Sequence, residues 1–145
     1  MTPPKTAASW FRIGAPVTPY TVRPTTVQLF RFSAATWNAH RIHYDSAYAR
    51  SEGHPDVLVQ SHLHGCFLVN ALLKWAGPQA TLRSLRWRNR RIAVADDVLT
   101  VTGHVMSVVR EGDDRLVEVE LAERDQRGAV CVSGQAVVCI PAESS

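Results

Sequence analysis

The feature that most constrains this chain is one long helix signal that is apolar nearly all round. From about Ser61 to Ala76, apolar residues recur at Leu63, Phe67, Leu68, Leu72 and Trp75, while Val69, Ala71 and Leu73 widen the stripe. A helix that is apolar nearly all round has to be covered on most sides. Gly77-Pro78 stops it, because glycine closes a helix readily and proline cannot continue one. Downstream the apolar period falls to two. Strand regions are expected over 80–94, 98–110, 115–124 and 129–140. Asp96-Asp97, Gly112-Asp113-Asp114 and Gln126-Arg127-Gly128 separate them. Long strands joined by short turns predict an antiparallel meander. A single apolar helix is covered best by a curved sheet wrapped around it. The expected class is α+β.

Upstream the pattern is weaker. Pro3, Pro4, Pro16, Pro19 and Pro24 make residues 1–26 an extended lead-in, with Trp10, Phe11 and Ile13 as candidates to pin it to the body. Val27 to Phe32 alternate and are β-prone, which predicts a strand. Ser33 is then a plausible N-cap for a helical turn at 34–36, and Asp45 opens a short helix over 45–50 that Gly53-His54-Pro55 breaks. The body is expected to span 27–141, with a tail at 142–145. A chain of 145 residues, 46% hydrophobic and 20% charged, suits one domain with a real core. It has no apolar run of membrane-spanning length. Residues 1–10 lack a stretch of signal-peptide character, which points to the cytoplasm. Cys66, Cys131 and Cys139 have no CxxC spacing, so neither a disulfide framework nor a cysteine-rich metal site is expected. The net charge of +3 is too small to imply nucleic acid.

Chemistry concentrates in SAATWNAHRIHYDSAYAR, residues 33–50, where Asn38, His40, His43 and Asp45 fall close together. Either these groups brace a loop by bonding one another, or a histidine near neutral pKa passes protons there. His62 and His64 stand at i, i+2 and so on different helix faces, without a companion motif, and no metal is expected. His64 is assigned to a pocket wall or a subunit contact. In LRSLRWRNRRIAV, Arg86, Arg88 and Arg90 share one strand face, opposite Leu85, Trp87 and Asn89. That face is either simply solvated or a phosphate site, since guanidinium groups match phosphate geometry.

The phrase FSAATWNAHRIHYD resembles the MaoC-like hydratases and dehydratases, in particular a branch with mesaconyl-CoA-hydratase-like and fungal mitochondrial dehydratase-like members. His43 falls on the motif histidine, Ile42 on its aliphatic position, Asp45 on the following acid and Ala49 near the trailing alanine. Asn38 stands where that family usually has its catalytic aspartate, His40 replaces the motif asparagine and Arg41 the proline. Where the family opens its central helix with His-Gly, this chain has Gln60-Ser61. The resemblance is specific over about residues 29–75.

That likeness implies a hot-dog fold, assembling as a homodimer or higher oligomer. It also implies a lyase of fatty acid metabolism acting on 2-enoyl or 3-hydroxyacyl thioesters of CoA or acyl carrier protein, with no cofactor beyond the substrate's own carrier. His43 is then the acid/base. Asn38 only orients, because an amide cannot take a proton. Gln60, Ser61 and His62 at the helix entry polarise the thioester carbonyl, where unpaired N–H groups and a partial positive charge gather. Arg86, Arg88 and Arg90 take the carrier phosphates. Asn38 leaves three rivals open: thioester hydrolysis, conjugate addition of an amine, and a non-catalytic acyl-binding subunit.

Overall fold

The computed structural model describes residues 11–142. Its elements run β1 (Pro16–Val22), α1 (Thr26–Thr36), a 3-10 turn (Arg41–His43), α2 (Ser46–Ser51), α3 (Ser61–Ala76), β2 (Thr81–Asn89), β3 (Leu99–Glu111), β4 (Asp114–Arg124) and β5 (Val130–Ile140). The strands form one antiparallel sheet in the order β1-β3-β4-β5-β2.

α3 is the predicted helix, and it lies along the sheet's inner face, with His62, Cys66, Asn70 and Lys74, four residues apart, left as one exposed stripe. Leu63, Phe67, Leu68, Ala71, Leu72 and Trp75 are buried there against Val101, Val105, Val117, Val119 and Leu121 of β3 and β4. Leu68, Leu72 and Leu121 are almost wholly removed from solvent. Burial of each contributes roughly 1.5–3 kcal/mol. One antiparallel sheet around one long buried helix is the hot-dog fold.

Three local expectations change. Val27 to Phe32 belong to α1, not to a strand; Thr25 caps that helix by accepting from Gln28 N. Six alternating residues fit both periods, and packing decides between them: Leu29 and Ser33 lie on the inner face of α1, four residues apart. Ser33 is therefore a buried helix residue rather than a cap. The upstream strand lies instead in the Pro-rich segment, where β1 pairs with β3 at the sheet edge. Its register shifts between Val17 and Tyr20, around Pro19, and an edge bulge is where a sheet tolerates proline.

The meander holds only for β3, β4 and β5. β2 crosses over to pair with β5, and its strand stops at Asn89. Phe11 packs edge-on against Trp75, with centroids 5.2 Å apart, whereas Ile13 is exposed. Trp10 lies outside the described residues.

Candidate active site

α1 ends at Trp37, which takes the left-handed conformation (φ 56°) and is 92% exposed. The chain leaves the helix there, and Asn38 N donates back to Ser33 O at 3.0 Å. Asn38 Oδ1 accepts from His40 N at 3.4 Å. The amide oxygen is thus engaged locally, and among the described residues the Nδ2 donors have no protein partner.

The next residues form the 3-10 turn. His40 caps it, its Nδ1 accepting from Ile42 N at 3.3 Å. His43 closes it and is buried. His43 Nδ1 lies 2.8 Å from Leu58 O. A carbonyl oxygen only accepts, so Nδ1 carries the proton and Nε2 is the bare nitrogen. Burial pushes the pKa of His43 below the usual histidine value, and His40 nearby lowers it further, against the opposing pull of the Leu58 carbonyl. The ring is a neutral base with a defined tautomer.

Asp45 is committed elsewhere. It caps α2 by accepting from Tyr48 N at 3.0 Å and pairs with Arg41 at 2.7 Å. The Tyr48 amide, then Arg41, hold its carboxyl below the usual aspartate range. Asp45 serves this segment as a cap and an ion-pair partner, and His43 is its buried imidazole.

Leu58 couples this turn to the central helix. Leu58 N donates to Ile42 O at 2.9 Å, and α3 begins three residues later. Gln60 precedes α3 without capping it through its side chain. That side chain is fully buried: Nε2 donates to Leu29 O at 2.7 Å and to Ser33 Oγ at 2.9 Å, tying α3 to α1, while Oε1 has no partner. Ser61 is exposed, and its carbonyl accepts from Trp87 Nε1 at 3.2 Å. His62 is exposed and packs edge-on against Trp87. His64 departs from the pocket-wall expectation: it is buried, with Nδ1 2.6 Å from Glu123 Oε1 on β4. Glu123 was missed by sequence reasoning, and only the facing of two distant elements exposes it.

A cavity of about 770 Å³ opens between α1, α3 and β2. Phe32, Val69, Leu85 and Trp87 give it apolar walls, and Thr36, Asn38, His62 and Asn70 are among its polar lining. A second hollow of about 420 Å³ shares Trp37 and Asn38. His43 lines neither of them, nor do Gln60 and Ser61. The structure thus brings Asn38 and His62 to one cavity and leaves His43 in the adjoining turn, outside the lining of that cavity. Arg86, Arg88 and Arg90 gather apart from it, in a cleft of about 550 Å³ with Glu120, Ser133 and Gln135. There Arg86 donates to Gln135 Oε1 and Arg90 Nε to Ser133 Oγ at 2.9 Å.

Comparison with known proteins adds the family. The profile described as "Hydroxyacyl-thioester dehydratase type 2" matches residues 5–95, more than half of the chain. The chain belongs to this dehydratase family. The matched span contains Asn38, His40, His43 and the whole of α3. Among relatives of the family, the chain is similar to the mesaconyl-C(4)-CoA hydratase of Chloroflexus aurantiacus, 52% identical over 50 residues, which is 34% of this chain and 18% of that protein. It is similar to the mitochondrial hydroxyacyl-thioester dehydratase type 2 of Schizosaccharomyces pombe, 34% identical over 76 residues, or 50% of this chain and 24% of that one. The matched stretches thus span about a quarter or less of the curated relatives. Among solved structures, the unliganded R-hydratase PhaJ1 of Pseudomonas aeruginosa superposes with a TM-score of 0.83 at 22% identity, covering 91% of this chain and 83% of that one. At that identity the likeness establishes the shared fold. Among the described residues, no helix is long and apolar enough to cross a membrane.

Proposed function

We propose that this chain adds water to a 2-enoyl thioester, or removes it from a 3-hydroxyacyl thioester, carried on CoA or acyl carrier protein. The observation that carries the reading is the tautomer of His43, which leaves a neutral Nε2 as the buried base of the turn before α3. Family membership supports the reaction class. In the hydration direction His43 Nε2 takes a proton from water, the oxygen attacks the β-carbon, and the proton returns to the α-carbon. The thioester carbonyl gains negative charge as this happens. The N–H groups at the entry of α3, beside Ser61 and His62, and the Nδ2 donors of Asn38 stabilise that charge. A preorganised donor of this kind lowers a barrier by roughly 3–4 kcal/mol. The apolar cavity between Phe32, Val69 and Trp87 receives the acyl chain, with the reacting carbons at its Asn38 end, next to the turn that carries His43, and Arg86, Arg88 and Arg90 attract the carrier phosphates.

We propose further that two copies assemble. β2 ends the sheet, so one of its edges is unpaired, and most of its residues are exposed. An open edge of nine residues is a ready template for a second strand.

The test is direct. The purified chain is mixed with a 2-enoyl-CoA, and enoyl absorbance and free thiol are followed together. Loss of absorbance without thiol release is the expected result. Thiol release in its place would make the protein a thioesterase, and an amine-dependent adduct would make it a conjugate-addition enzyme. Absence of all three would favour an acyl-binding subunit.

A further inference from the structure

We infer that His40 is the hydrogen-bond donor that holds the reacting water against His43, an inference that rests on the reaction proposed above. The two imidazoles are adjacent, with ring centroids 6.2 Å apart and planes inclined by 67°. Their tautomers are complementary. Ile42 N–H points at His40 Nδ1, so in the neutral ring the proton is on Nε2. Leu58 O receives the Nδ1 proton of His43, so its Nε2 is bare. One ring offers a donor and the other an acceptor, and a single water oxygen accepts from the first while giving its proton to the second.

His40 cannot serve as the proton donor to carbon. A neutral imidazole that gives up its last proton becomes an imidazolate, which is far too basic to form at neutral pH. Protonating Nδ1 instead would remove the acceptor that Ile42 N–H uses. The role left to the ring is donation from Nε2 to the water. The Arg41 guanidinium and the Tyr44 hydroxyl nearby are engaged elsewhere. Tyr48 stands edge-on, 6.2 Å from His40. The Arg41 guanidinium lies over the Tyr48 ring at 4.5 Å and is paired with Asp45. The Tyr44 hydroxyl donates to Ala39 O at 2.8 Å. His40 is exposed and His43 buried, so the pair runs from the surface to the buried ring. Asn38 Oδ1 receives His40 N–H and steadies the backbone from which the ring projects.

The test separates donation from capping. His40→Asn keeps an acceptor for Ile42 N–H and retains a donor, whereas His40→Asp keeps the acceptor and has none. On 2-enoyl-CoA, His40→Asp should lower kcat at least tenfold relative to His40→Asn, with KM within about twofold and unchanged melting temperatures. Equal kcat for the two variants would overturn the inference. The second measurement needs no turnover: long-range ¹H–¹⁵N correlation of the imidazoles in the full-length labelled protein, with His40 assigned by its loss in His40→Asn. His40 as the Nε2–H form and His43 as the Nδ1–H form are expected, and the reverse tautomer at either ring would overturn the inference even in a protein without hydratase activity. Correct tautomers together with wild-type inactivity on every enoyl thioester would overturn the reaction proposed above, and with it the water-holding role, while leaving the donor–acceptor pair in place.

Discussion

The 2.8 Å contact between His43 Nδ1 and the Leu58 carbonyl decides which nitrogen of the ring is available for chemistry. Leu58 also donates to Ile42 O, so the loop before α3 and the 3-10 turn hold each other at both ends. The base is therefore oriented by backbone groups. His43→Ala should lower turnover about 100-fold or more, the scale of general acid–base work. It also frees a buried carbonyl, so a stability loss of about 1–2 kcal/mol in urea titration should accompany it. Near-full activity would remove His43 from the mechanism.

The depressed pKa of His43 makes a signed pH prediction. Its folded value lies below its unfolded value near 6.5. Between the two values the unfolded chain binds the extra proton and the folded one does not. The contribution of His43 to stability is therefore complete above about pH 6.5 and is lost as pH falls toward the folded value. The acid limb of kcat/KM should follow the same group and lie below pH 6.5, since the free base is the active form. An acid limb above that value would assign the titration to another residue.

Asn38 orients without ionising. Asn38→Ala should lower kcat, and Asn38→Asp should retain or raise hydration by adding a second proton acceptor. Unchanged kcat in Asn38→Ala would exclude this side chain from the site, although it lines the cavity.

Reversal of Arg86 and Arg88 to glutamate should raise KM for a full CoA thioester and leave kcat near its original value, because phosphate attraction is felt equally in ground and transition states. Salt should shrink the effect, and a thioester truncated before the nucleotide should escape it. Equal KM at low ionic strength would make the arginines a solvated face, where pairs contribute about 0–1 kcal/mol.

His64 and Glu123 form a pair that is almost wholly buried. Glu123→Ala should therefore destabilise by about 1–3 kcal/mol, since the remaining histidine loses its hydrogen-bond partner inside the core. Replacing both residues with apolar ones of similar volume should restore most of that loss. Equal stability of wild type and Glu123→Ala in chemical denaturation would show that the pair contributes nothing net.

The helix from Ser61 to Ala76 is legible in the chain residue for residue, because sixteen residues carry an unmistakable apolar period and Gly77 and Pro78 end it locally. The turns before β3, β4 and β5 are equally local, each written in Gly, Asp or Gln beside alternating strands. Short or ambiguous segments are not. Val27 to Phe32 satisfy a strand and a helix alike, and they became helical because Leu29 and Ser33 face the core and Leu29 O and Ser33 Oγ receive Gln60, 31 and 27 residues away. Pro16–Val22 reads as a loose lead-in and is an edge strand, since only the presence of β3 gives it a partner. The pairing of β2 with β5 rather than β3 is likewise invisible locally. In the candidate site, the motif positions of Asn38, His40 and His43 stand in the sequence. The proton assignment of His43 does not, because it depends on a carbonyl 15 residues away. The His64–Glu123 pair, 59 residues apart, exists only once α3 is laid on the sheet. Periodicity and turn chemistry act over a few bonds, whereas tautomers, buried pairs and strand order are set by contacts that only the closed fold brings together.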